Sequence, residues 1–382
     1  MVPVSGTDAR ECASLPQTSQ EPIPSPGRVI AQSCGTGTIA GVATKPVKVT
    51  IQEVARAAGV SVTTVSRVLN DSPNVRPEKR AAVQRAIAEL QYSPSRVAQS
   101  LKSRSFGVVA LIVSDISNAF FAEIARSFER YCDEAGYTLM LCNTDWRQDR
   151  LARFLRDLPH RGVDGIIHCG ITHLAEPAIR PLVESIASSG PPMVLTGREV
   201  EGIDLPTVVT DSVSGVAQAL EHLWRTGRRR IAYLSGVDAH QSPIARERLD
   251  AFTAIAAERG FTIDPKLIES VGYEFEAGHR AIKRLLAAAP DLDAVLCAAD
   301  QIAVGVLRGL GEFGRKVPGD VAVVGWDDTK LARYLDPPLT SVSVNLDDIA
   351  SAATRMLTSA IQGLPAERTT TVACDLIIRA SS

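Results

Sequence analysis

The chain has 382 residues, of which 45% are apolar, 22% charged and only 5% aromatic, so it is long enough for two or three domains with largely aliphatic cores. A formal net charge of −2, from 41 Lys and Arg against 43 Asp and Glu, argues against a simple polycationic coat for nucleic acid. No apolar run is long enough to span a membrane, and the N-terminus lacks a secretory pattern, so a cytoplasmic protein is expected.

The seven cysteines (Cys12, Cys34, Cys132, Cys142, Cys169, Cys297 and Cys374) are scattered, odd in number and without a Cys-x-x-Cys pair. Buried free thiols in a reducing compartment are expected, rather than a disulfide framework or a zinc site.

In chain order, residues 1–46 are rich in Pro, Gly, Ser and Thr, carry no net charge and show no hydrophobic period, which reads as a disordered tail. Residues 47–104 hold ten basic and four acidic residues, a net of +6, which leaves −8 on residues 105–382. A compact basic module precedes a large acidic body. An anionic partner is expected for the first alone.

Within the module, Thr50-Ile51-Gln52-Glu53 matches a capping box and predicts a helix over Ile51–Ala58, stopped at Gly59. Ser61 caps a second helix running to about Leu69. Val54, Val60, Val65 and Val68 supply a miniature core, with Ala55 small enough for close approach. This is helix-turn-helix spacing. The second helix then presents Val62, Thr63, Ser66 and Arg67, apt for a major groove: Arg bonds guanine through two donors, and Val62 and Thr63 offer methyls to thymine. A third helix is predicted from Pro77 to Gln91, closing the core with Val83, Ile87 and Leu90. Lys79, Arg80 and Ser61 suit phosphate contacts that fix register without reading sequence.

Val49 to Leu101 carries Ala57-Ala58-Gly59-Val60-Ser61, Thr64-Val65-Ser66-Arg67-Val68-Leu69-Asn70 and Tyr92-x-Pro94, and in these motifs resembles the lactose/galactose repressor family. The likeness continues to about residue 379. It implies a helix-turn-helix DNA-binding domain over 47–93 and a hinge helix over 94–104, followed by a two-lobed effector-binding and dimerisation domain over 105–382. DNA contacts are implied for Thr50, Ser61, Val62, Thr63, Thr64, Ser66, Arg67, Asn70, Lys79, Tyr92, Ala98 and Leu101, with Leu101 wedged into the minor groove. Ser95 stands where the family usually has Asn. Ordering about nine hinge residues costs on the order of 1 kcal/mol each, so DNA and a second subunit must supply the offset.

From Phe106 onward, apolar runs alternate with amphipathic stretches. Strands are predicted at Gly107–Val113, Tyr137–Leu141, Gly165–His168, Met193–Leu195, Val208–Val209, Ile231–Leu234, Ala294–Cys297 and Val321–Val324, with a helix over Ala119–Ala135. This is an α/β pattern of parallel sheets with helices on both faces. About ten strands fit two lobes better than one sheet. The resemblance implies a periplasmic-binding-protein-like architecture with three crossings between lobes, placed near Asp211, Asp327 and Thr370.

Ligands of such folds bind beyond the carboxyl ends of strands. The first strand ends at Ser114-Asp115-Ile116-Ser117-Asn118-Ala119-Phe120-Phe121, a carboxylate, an amide and two rings suited to a polyol with one apolar face. The resemblance adds Arg248, Tyr273 and Asp300 to Asp115, Asn118, Phe120 and Phe121 as effector contacts, with Ala299 where the family has Asn. Plainer roles stay open: Phe120 or Phe121 as core, Asp115 or Asp300 as a helix cap, Arg248 as half of a surface ion pair. Trp326-Asp327-Asp328 reads first as structure near a crossing.

No phosphate loop, His-Glu-x-x-His, Cys/His cluster or Gly-x-Ser-x-Gly elbow occurs, so no cofactor, metal or catalytic residue is expected and a binding protein is favoured over an enzyme. The expectation is a repressor that binds near-palindromic double-stranded operator DNA as a homodimer, under control of a small-molecule effector of sugar type. The alternatives are a solute-binding module without sequence-specific DNA binding and an enzyme on the two-lobe scaffold.

Overall fold

The computed structural model describes residues 49–69, 72–92, 105–170, 174–236, 242–261, 264–365 and 367–382. The chain divides into two compact units, residues 1–93 and 94–382.

The first unit holds three helices, α1 (Ile51–Ala57), α2 (Val62–Leu69) and α3 (Pro77–Glu89). The capping box opens α1: Glu53 N donates to Thr50 Oγ1 (3.4 Å), and Thr50 N donates back to Glu53 Oε2 (2.7 Å). Gly59, at φ +62°, turns the chain out of α1, and Val60 N closes the end by donating to Ala55 O (3.0 Å). Thr64 N donates to Ser61 Oγ (3.2 Å), which fixes the start of α2. Pro77 occupies the first turn of α3. Val54, Ala55, Val65, Val68, Val83 and Ala86 form the core. Ile87 and Leu90, expected to close it, are half-buried at its margin, and Ala86 takes the central place because it lets α3 approach closely.

The second unit contains two six-stranded sheets. Lobe 1 comprises β1 (Val108–Val113), β2 (Thr138–Asn143), β3 (Gly165–Cys169), β4 (Met193–Gly197), β5 (Thr207–Thr210) and β11 (Thr369–Val372), in the all-parallel order β11-β5-β4-β3-β1-β2. Helices α4 (Ala119–Glu134), α5 (Gln148–Asp157), α6 (Arg180–Ser189) and α11 (Leu346–Ile361) accompany it. Lobe 2 comprises β6 (Ile231–Ser235), β7 (Ile268–Ser270), β8 (Ala294–Cys297), β9 (Ala322–Asp327), β10 (Thr340–Ser343) and β12 (Asp375–Ile377), in the order β12-β10-β9-β8-β6-β7. Only its edge strand β12 runs antiparallel. Its helices are α7 (Ser212–Arg225), α8 (Pro243–Glu258), α9 (Phe275–Ala288) and α10 (Asp300–Glu312). Central strands such as β1 and β8 are apolar throughout because helices cover both faces.

Four strands lie outside the sequence reading: β7, β10, β11 and β12. Three of them are sheet edges. The fourth, β10, is internal yet reads Thr-Ser-Val-Ser; the Thr340 hydroxyl donates to Arg379 O and that of Ser341 to Asp300, while Thr340 N donates to Ser381 Oγ. This moves a crossing. The chain leaves lobe 1 at Asp211, as expected, but it returns only after β10, at residues 344–345, and not at Asp327. The last crossing, between β11 and β12, falls at residues 373–374, just beyond Thr370. The five cysteines among the described residues are buried and free.

Candidate nucleic-acid interface and effector cleft

On α2 the sequence separates two faces. Val65 and Val68 are buried, while Ser61, Val62, Thr63 and Arg67 are exposed, Val62 to 41%. Thr64 is half-buried, its hydroxyl 2.9 Å from that of Ser61, so both residues hold the helix start as well as lining its outer side. Ser66 is half-buried. Thr50 is engaged in the capping box, and Tyr92 packs against the core. Lys79 is exposed in the first turn of α3. Arg80 donates to Ser72 O (2.5 Å), which ties the preceding loop to α3. A short helix with one apolar face inward and short polar residues plus Arg outward has the shape of a groove-reading helix. Asn70, Ser95, Ala98 and Leu101 lie outside the described residues.

The body carries a cavity between its lobes, at the carboxyl ends of the strands. From lobe 1 it is lined by Asn118, Phe120, Phe121, Ile124, Trp146, Cys169, Thr196, Val208 and Thr210; from lobe 2 by Ile244, Arg248, Tyr273, Ala298 and Asp327; Val344 and Ile349 stand at the second crossing. Asn118 Oδ1 accepts from Phe120 N (3.0 Å), so the amide that starts α4 also sets where its two rings point. The rings Phe120, Phe121, Trp146 and Tyr273 form a continuous aromatic wall, each 5.0–5.9 Å from the next.

Arg248 and Asp327 share the cavity with this wall. Arg248 is buried, with its guanidinium 4.0 Å over the Trp326 ring and donating to Ser212 Oγ (3.4 Å) and Ala298 O (3.3 Å). Asp327 ends β9 in a left-handed conformation (φ +105°), followed by Asp328 at φ +51°. Burial holds the Asp327 carboxyl well above the usual carboxylate range, and nearby Asp300 adds to this while Arg248 opposes it. A buried cation, a carboxyl that can hold its proton, small polar groups and an aromatic wall suit a compact polar ligand with a flat face.

Two expected contacts fall elsewhere. Asp300 does not line the cavity. Its carboxylate accepts from Thr329 N (2.7 Å), Thr329 Oγ1 (2.9 Å) and Ser341 Oγ (2.5 Å), which occupies both oxygens in joining the start of α10 to β10. Asp115 accepts from Ser117 N (2.9 Å) and Ser117 Oγ (2.8 Å) in a turn before α4 and also lies outside the lining. Conversely, Trp146 and Asp327 line the cavity without having been singled out for it. The strand-end rule applied to β2 and β9 finds both. Trp146 was masked by a polar stretch without period, and Asp327 by its assignment to a crossing. Among the described residues no cluster of His, Cys, Asp and Glu can hold a metal, and no helix is long and apolar enough to cross a membrane.

Comparison with known proteins bears on both units. Residues 50–95 match the family described as bacterial regulatory proteins, lacI family, and residues 220–382 match the periplasmic binding protein-like domain. The catabolite control protein A of Priestia megaterium is 33% identical over 81% of this chain and 92% of its own length. The ribose operon repressor of Escherichia coli K12 is 34% identical over 81% and 92%. The structure of the lac repressor dimer bound to operator and the anti-inducer ONPF superposes with a TM-score of 0.78 at 25% identity, covering 87% of this chain and 98% of that one. A complex of the transcriptional regulator CelR with cellobiose gives 0.66 at 31% identity, covering 87% and 99%. With the helix-turn-helix, the two parallel-sheet lobes and these likenesses together, the chain belongs to the LacI family of DNA-binding transcription regulators.

Proposed function

We propose that this chain is a repressor that binds a near-palindromic operator as a homodimer, and that a small neutral polyhydroxy ligand, a sugar or sugar derivative, changes that affinity from the inter-lobe cavity. The observation that carries the reading is the cavity itself, which Arg248 and Asp327 share with an aromatic wall, within a chain that also bears a groove-reading helix. Arg248 donates to ligand hydroxyls, Asp327 accepts or donates according to its proton, Asn118, Thr196 and Thr210 complete the polar set, and Phe120, Phe121 and Tyr273 take the apolar face. Asp115 and Asp300 act one step back, by shaping the start of α4 and the β9–β10 junction. Names among the relatives, ribose operon repressor and a cellobiose complex, point to the same ligand class. On the DNA side, Arg67, Val62, Thr63 and Ser66 read bases. Ser61, Thr64, Lys79, Thr50, Asn70 and Tyr92 serve position, and Ala98 and Leu101 serve the minor groove.

Two-fold protein symmetry matches two half-sites. A ligand shifts operator affinity only by its differential affinity for two states, typically about 1–3 kcal/mol, or some 5–150-fold. The test is footprinting to recover the operator, then mobility shift at graded salt with and without a panel of mono- and disaccharides. The expected result is salt-sensitive binding to one palindrome, altered by a sugar and no longer altered in Asp327→Asn. Absence of palindrome binding rejects the repressor reading, and turnover of the sugar rejects a purely binding role.

A further inference from the structure

Tyr273 is half-buried and lines the cavity, with a close neighbour in each lobe. On one side Gly236 comes so close that a Cβ there would lie 2.2 Å from the ring. Towards the other lobe, Trp146 stacks on it, with ring centroids 5.1 Å apart and planes within 7°. The two rings belong to different lobes, Trp146 to the loop after β2 and Tyr273 to the segment after β7, so the stack bridges the cleft. Phe121 meets Trp146 edge-on, with centroids 5.9 Å apart at 73°.

The loop that delivers Trp146 is strained. Asp145 (φ +57°) and Trp146 (φ +56°) are consecutive left-handed residues, neither of them glycine. Such conformations gather at ligand clamps and switches, where the surroundings enforce them. Here Thr144 Oγ1 donates to Val113 O (3.2 Å) and Trp146 N donates to Ser114 O (3.2 Å), which pins the loop to the end of β1. The opposite jaw, Asp327–Asp328, is a second left-handed pair. The positive-φ turn is held by these two hydrogen bonds together with the ring contacts of Trp146 to Phe121 and Tyr273.

We propose that Trp146 is a built-in occupant of the stacking place on Tyr273, a plug that a ring-bearing ligand must displace; this rests on the reading of the cavity as the ligand site. Binding is then an exchange of one ring for another. Cyclic ligands with a flat face are favoured, because an acyclic polyol offers no replacement for the aromatic contact it would break.

The probe is indole, which reproduces the displaced side chain. In the full-length chain, Trp146→Ala should bind indole saturably, one per chain, at least tenfold tighter than the unsubstituted protein, and adding Tyr273→Ala should abolish this. Equal binding with and without Trp146, no binding by a folded Trp146→Ala, or retention in the double variant overturns the plug. Should Trp146→Ala fail to fold, fluorine NMR of the chain labelled with 5-fluorotryptophan decides. The chain has three tryptophans, Trp146→Phe identifies the resonance, and Tyr273→Leu should move that one most. An unmoved Trp146 resonance means no stack and no plug. Operator assays are scored apart: indole binding as expected in a chain deaf to every sugar keeps the plug and removes the effector reading, and the converse result removes the plug alone.

Discussion

Arg67 stands exposed on α2, on the side away from Val65 and Val68, and no ion pair among the described residues employs it. Its length and two-pronged donor geometry make it the residue best able to distinguish guanine. Arg67→Ala should weaken operator binding by about 1–3 kcal/mol and relax preference at one base position, scored by binding to an operator library. A uniform loss across all sequences would instead place Arg67 on phosphate. Asp300 illustrates the opposite situation, a carboxylate fully engaged by its own fold. Burial raises its pKa to about 6, and its hydrogen bonds from Ser341 and Thr329 offset only part of that. The folded chain therefore binds one proton more than the unfolded chain between about pH 4 and pH 6. The stability contributed by this group is complete below that window and is lost as pH rises through about 6. Asp300→Asn should reduce that fall by on the order of 2–3 kcal/mol, measured by chemical denaturation on either side of the window. A pH profile identical to that of the unsubstituted chain would reject burial of the charge as its cause.

At the scale of elements, the start signals of the first unit were legible because they are local. A capping box, a Ser cap and a Pro at the first turn each involve residues within four positions of one another. The apolar strands were legible for a similar reason, since burial on both faces demands continuous Val, Ile and Leu. The strand β10 was not, because its Thr and Ser are satisfied by partners about 40 residues away in sequence. The pairing of α9 and α10 depends on another non-local feature. A Cβ on Gly305 would lie 1.9 Å from Phe275 O and 2.7 Å from His279 N, so the two helices meet through backbone. Gly305→Ala should force them apart and cost about 1–3 kcal/mol or more, visible as a lowered Tm of the body in thermal unfolding. An unchanged Tm would show that the helices separate without penalty.

Over the whole molecule, the net charge of −2 conceals +6 on residues 47–104 and −8 on residues 105–382. Net positive charge, which attracts phosphate, is concentrated on residues 47–104. Each phosphate neutralised by a lysine contributes about one unit to the slope of log affinity against log salt. Lys79→Gln, at an exposed site, should therefore lower that slope by about 1 with little change in sequence preference. An unchanged slope would remove Lys79 from the phosphates. The lobes are linked by three crossings at Asp211, residues 344–345 and residues 373–374. Any movement of one lobe against the other must pass through these crossings.

The family motifs, the helix caps, the charge partition and the alternation of strand and helix were set by the sequence alone, because each rests on neighbouring residues or on composition. The membership of the cavity was decided by tertiary structure. Asp300 opens α10 just after β8 and Asp327 ends the neighbouring strand β9, yet Asp300 is consumed by Thr329 and Ser341 while Asp327 turns into the cleft at positive φ. Trp146 and Tyr273 are more than a hundred residues apart and share no pattern; they meet because two separate sheets bring their strand ends to one cleft. Which of several chemically suitable side chains points inward depends on hydrogen bonds and backbone angles supplied by distant segments, and these exist only once the chain has folded.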